Sequence, residues 1–153
     1  MPYIVELDQS GKLEQTSWDT VLAFSDGLQR AIRIPARVKQ SVFNFLRRKY
    51  PERVGLFHLL QFFAAGLYLL LHPYLDQLTG VTIDREYPGN EGYIKGVLLN
   101  YLRREDPNLS SDLINFGRVE DGSPADELAW SVFRGKKDAD QVISLEEILR
   151  VLK

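Results

Sequence analysis

Short runs of β-forming residues mark the first part of the chain, and helical periodicity takes over after Pro35. Tyr3 to Leu7 is rich in such residues and runs into Asp8-Gln9-Ser10-Gly11, a turn-forming cluster. This predicts a first strand with Asp8 at its C-terminal end. Leu13 to Thr16 can continue a hairpin, and Thr20 to Ser25 then meets Leu28 to Ile34 across Asp26-Gly27, a dipeptide favoured in two-residue hairpin turns. The opening reads as an antiparallel meander. Pro35 starts a helix in which Val38, Val42, Phe43, Phe45 and Leu46 form an apolar stripe, ending near Arg47-Arg48-Lys49 and Pro51.

From Val54 to Leu75 no residue carries a formal charge, and the run has about the length a bilayer core demands. His58, Gln61, His72 and Pro73 interrupt it, and its flanks are balanced in charge. It is expected to be a helix buried on several sides, partly by a second copy of the chain, with no membrane involved. Gly80 to Asp84 follows as a short β-branched strand. Asn90 can cap the next helix, where Ile94, Val97, Leu98, Tyr101 and Leu102 share one face and Arg103 and Arg104 sit at its negative end. Leu113 to Val119 reads as the fifth strand. Ser123 is a good N-cap with Pro124 at the first helical position, and Ala125, Leu128, Ala129, Val132 and Phe133 recur at helical spacing up to Gly135, a C-cap residue. The tail adds Gln141 to Ile143 and a helix capped by Ser144 with Glu147 three residues on, a capping box.

Right-handed crossovers turn this order into one α/β domain over residues 1–153. Its sheet is mixed and five-stranded, three antiparallel strands then parallel ones, with helices on both faces. Ligands in such sheets gather at the carboxyl ends of strands, where Asp8 and Asp84 fall. The first turn of the helix after the fifth strand can bring Asp126 over the same edge.

The absence of cysteine excludes disulfides, thiol nucleophiles and Cys-ligated zinc, and is compatible with a cytoplasmic setting. A net charge of −2 does not announce a nucleic-acid partner, so such binding must come from a local patch. The basic clusters Arg30, Arg33, Arg37, Lys39 and Arg47-Arg48-Lys49 with Arg53 read as solvated faces. Arg134, Lys136 and Lys137 are different. They follow the helix that bears Asp126 and are candidates for holding a phosphate backbone. His58 and His72 read as hydrogen-bonded core residues. Tyr3 to Asp8 with the preceding Met-Pro has neither the basic region nor the cleavage site of a secretory signal.

Three motifs in sequence order carry a resemblance. Tyr3-Ile-Val-Glu-Leu-Asp8-Gln-Ser10, Val81-Thr-Ile-Asp84 and Ala125-Asp126-Glu-Leu-Ala129 are similar to the first strand, the fourth strand and the last helix of the ribonuclease H-like superfamily. The resemblance implies a two-metal nuclease acting on an RNA–DNA hybrid or on DNA, with Mg²⁺ or Mn²⁺ held by Asp8, Asp84 and Asp126. It implies that Asp8 bridges the ions and that Glu86 or Asp121 adds a ligand. Two features depart from the pattern. The glutamate expected on the helix before the fourth strand is replaced by Phe57, His58, Leu60 or Gln61, with Glu52 or Glu86 as substitutes. The loop before the last helix lacks the usual histidine and reads Arg118-Val-Glu-Asp-Gly122. The competing expectation is a non-catalytic interaction module of the same fold, homodimeric through Leu56 to Leu71.

Overall fold

The computed structural model describes residues 3–153; Met1 and Pro2, which belong to the N-terminal run read above, lie outside them. Three strands open the chain: β1 (Tyr3–Ser10), β2 (Thr20–Asp26) and β3 (Leu28–Ile34). Helices α1 (Ala36–Lys49) and α2 (Gly55–Leu71) follow, then a 3-10 segment (His72–Gln77), β4 (Leu78–Asp84) and α3 (Glu91–Leu102). A short 3-10 turn (Ser111–Leu113) leads into β5 (Ile114–Gly117), α4 (Pro124–Phe133), β6 (Gln141–Val142) and α5 (Leu145–Leu152).

The protein is α/β, with a mixed six-stranded sheet of order β5-β4-β1-β2-β3-β6. The expected strand count of five is corrected by β6, which pairs parallel to β3 at Ile32 and Arg33. β1 is antiparallel to β2 and parallel to β4, and β5 is parallel to β4. Four more expectations change in detail. β1 continues through Asp8 to Ser10 because Gln9 and Ser10 stay paired with Leu22 and Val21, so the ladder overrides the local turn chemistry. Leu13 to Thr16 forms turns, not strand, and β5 stops at Gly117. The apolar helix ends at Leu71, where the 3-10 segment takes over. Asn90 flanks α3 without a side-chain cap bond.

The two faces of the sheet differ. One is covered by α1, α2, α3 and α5 around Leu7, Leu22, Phe24, Ile32 and Ile83, which form the main core. On the other face, among the described residues, α4 alone packs, with Leu128, Ala129 and Val132 against Val21, Ala23 and Ala31. Helix α2 is the central element of the first layer. The stretch Gly55–Gln77 is long and apolar enough to cross a membrane by length and composition, and 67% of its apolar window is buried inside the chain. At Gly66 the helix touches the sheet so closely that a Cβ would stand 3.0 Å from Leu22 Cδ1. His58 is a core residue as expected, its Nε2 donating to the Tyr50 carbonyl at 3.0 Å. His72 is not. It is half-exposed, stacked on Tyr68 and 3.2 Å from Glu105.

The first basic cluster is also corrected, because two of its members lie inside the protein. Lys39 is fully buried and donates to the carbonyls of Lys12 (3.2 Å), Gln15 (2.5 Å) and Trp18 (2.9 Å), fixing the β1–β2 loop on α1. Arg30 donates to the Leu70 and Leu69 carbonyls and to Gln141, placing a cation at the negative end of α2, whose own last turn has none.

Candidate metal centre

Side-chain parity brings the first two aspartates together. In the parallel β1–β4 ladder Leu7 stands opposite Ile83, and both point into the main core. The next residues, Asp8 and Asp84, therefore emerge side by side on the opposite face, where α4 lies. Glu86, two residues beyond β4, turns back onto them. One carboxylate oxygen from each of Asp8, Asp84 and Glu86 lies within 4.8 Å of the others. Asp126, in the first turn of α4, stands outside that group but near enough to Asp8 for the two carboxylates to act on each other.

Backbone N–H groups orient three of these carboxylates. Asp8 Oδ1 accepts from Gln9 at 2.8 Å, Asp84 Oδ1 from Val119 at 2.9 Å and Asp126 Oδ2 from Gly122 at 2.9 Å. The Val119 contact ties the loop after β5 to the end of β4. Ser123 fixes the start of α4, its Oγ accepting from the Asp126 N–H at 3.2 Å. Glu86 is positioned indirectly. Its neighbour Tyr87 packs edge-on against Phe63 at 5.0 Å and donates to Glu14 at 3.0 Å, anchoring the loop that carries Glu86.

The electrostatics reflect the crowding. Burial, then the negative charges of Asp84 and Asp126, push the Asp8 carboxyl up to about 6 against the lowering effect of the Gln9 N–H. Burial, with Asp84 and Asp8 beside it, pushes Glu86 up to about 8. Glu86 thus keeps a proton at neutral pH unless a cation replaces it. An all-oxygen set that is part solvated and mutually repelling has the chemistry that Mg²⁺ and Mn²⁺ prefer, so the residues fit the ion.

The other candidates lie elsewhere. Asp121 is exposed in the loop before α4 and Glu52 is exposed between α1 and α2; neither belongs to the group formed by Asp8, Asp84 and Glu86. Arg134, Lys136 and Lys137 are exposed at the far end of α4, where Arg134 stands eight residues after Asp126, about 12 Å along the axis. Sequence reasoning passed over Trp130, which is 48% exposed one turn beyond Asp126. Its helical position was visible, and its exposure was not. No family model, curated protein or solved structure matches the chain, so the arrangement of these side chains is what bears on function.

Proposed function

We propose that the protein is a metal-dependent nuclease of ribonuclease H-like fold that hydrolyses phosphodiester bonds in RNA or DNA. The observation that carries this reading is the convergence of Asp8, Asp84 and Glu86 from β1, β4 and the following loop, with Asp126 of α4 near Asp8. Caps and turns formed for local reasons need not converge. The strand arrangement supports the reading too: an antiparallel β1–β2–β3 meander, β4 and β5 parallel to β1, and the Ala125-Asp126 helix over the edge where β1 meets β4. Glu86 supplies the fourth carboxylate that the helix before β4 lacks.

Bound at this set, Mg²⁺ or Mn²⁺ would acidify the attacking water and stabilise the leaving oxygen. The chain's own part is positional. Asp8, Asp84 and Glu86 would hold the ion, and Asp126 would add its charge from the α4 side. Glu86 gives up its proton as positive charge enters, which couples occupancy to pH. The competing module, dimerising through Leu56 to Leu71, has little apolar surface there to use. That helix is largely covered within its own chain, and Leu56 and the preceding Val54 are its main exposed apolar residues.

Thermal unfolding with and without millimolar Mg²⁺ or Mn²⁺ tests the site. At about a hundred times the dissociation constant the native state gains roughly 2.7 kcal/mol. The gain is expected in wild type and absent in Asp8→Asn combined with Asp84→Asn. A wild type that ignores both ions overturns the reading.

A further inference from the structure

The second basic run, Arg47-Arg48-Lys49 with Arg53, reads in the sequence as a solvated face, yet two of its members border a cavity. The space, about 770 Å³, lies between the β1–β2 loop, the C-terminal half of α1 and the start of α2, and it has the size of a small-molecule site. Its lining changes character from the inside outward. Phe43 and Leu59 are buried, while Pro51 and Leu56 are exposed, so apolar surface runs from the core to the mouth. Arg47 and Arg53 stand on the solvent side.

Both cations are held in place, but not by an opposite charge. Arg47 Nη2 donates to Asn44 Oδ1 at 2.6 Å, and the Arg53 guanidinium lies 4.6 Å over the Phe57 ring. Neither forms an ion pair among the described residues. From Gly27 to Leu75 the only acidic residue is Glu52, whereas Arg37, Arg47, Arg48, Lys49 and Arg53 are all exposed. Glu52 does not line the cavity. Glu14 does, and it already accepts from Tyr87 Oη at 3.0 Å. The start of α2 adds to the positive field. Gly55 and Leu56 line the space, Val54 gives the helix no side-chain cap, and its first turn holds no acidic residue, so the leading N–H groups lack a counter-charge.

Two arginines beside an apolar wall match a ligand with a compact oxyanion on an apolar body. A phosphate ester presents three acceptor oxygens and up to two negative charges to planar guanidinium groups, where a carboxylate presents one charge. We propose that this cavity binds small phosphate esters, with the phosphate between Arg47, Arg53 and the first turn of α2 and the apolar body against Phe43, Pro51 and Leu59. The site is separate from the carboxylate centre, and its occupancy needs neither metal nor cleavage.

The test is calorimetric titration in EDTA with phenyl phosphate, benzoate and inorganic phosphate as probes. Phenyl phosphate is expected to bind tightest, with an affinity that falls as salt rises. Arg47→Gln combined with Arg53→Gln should weaken that binding by about tenfold or more. Leu56→Asp places a carboxylate in the first turn of α2, where it favours the helix and repels an anion, so binding should fall while the melting temperature holds or rises. Arg48→Gln removes an exposed cation outside the lining and should leave the affinity unchanged. Undetectable binding of phenyl phosphate at millimolar concentration overturns the proposal. So does equal binding of benzoate or inorganic phosphate, an unchanged affinity in the double variant or in Leu56→Asp, or a loss in Arg48→Gln as large as in the double variant.

Discussion

Two regions of this protein bury charge, and they resolve it in opposite ways. Lys39 is out of water but meets three backbone carbonyls, and Arg30 meets two carbonyls and a glutamine side chain. The chain thus supplies every partner these cations need, even though burial lowers Lys39 to about 8. Asp8, Asp84 and Asp126 receive single N–H bonds, Glu86 receives none among the described residues, and Asp8, Asp84 and Glu86 otherwise face one another. A buried charge that the fold satisfies is architecture; a cluster that the fold leaves mutually repelling is what the proposed cation would balance.

The strongest way to break this contrast is to neutralise the second region. Asp8→Asn or Asp84→Asn is expected to reduce phosphodiester cleavage by at least a hundredfold, the order of a lost transition-state electrostatic contact, without loss of fold in a melt. The first region should respond in the reverse manner. Lys39→Met leaves the Lys12, Gln15 and Trp18 carbonyls without their donor and is expected to destabilise by about 3 kcal/mol in urea unfolding, with the metal response retained.

A pH series sharpens the contrast further. Asp8 and Glu86 hold protons in the native protein at pH values where an unfolded chain has lost them, so metal-free stability falls as pH rises through about 6 and then about 8. The loss between pH 5 and pH 8 is read as a falling melting temperature, and Mg²⁺ should remove most of it. Glu86→Gln is expected to flatten the upper part of that curve. The smallest effect belongs to Ser123→Ala, which costs about 1 kcal/mol by releasing the first turn of α4.

How much of this was legible in the sequence depends on the range of the forces concerned. The limits of α4 were readable because Ser123, Pro124 and Gly135 act through their own backbone neighbours. Asp8 and Asp84 were readable because strand parity is local and a crossover places parallel strands together. Glu86 was named only as a secondary ligand. Its place is set by Tyr87 holding Glu14, which is 73 residues away in the chain, and no local pattern reports that. Arg30 and Lys39 looked like members of a solvated charge run because nothing nearby in sequence reveals the carbonyls they meet. The extension of β1 past Asp8 came from β2, whose pairing outweighs the turn preference of Gln9-Ser10-Gly11.

The two-residue strand β6 has a consequence for how the molecule is assembled. β1, β2 and β3 join through short connections and can pair early, yet the outer edge of β3 is covered from Ala31 to Arg33 by Asp140, Gln141 and Val142, the Ala31–Asp140 bond spanning 109 residues. Until that late segment arrives, β3 presents unpaired N–H and C=O groups along its length, the kind of edge on which chains add to one another. During synthesis the growing chain therefore carries an open template for aggregation, and the final helix and its short strand act as the latch that retires it.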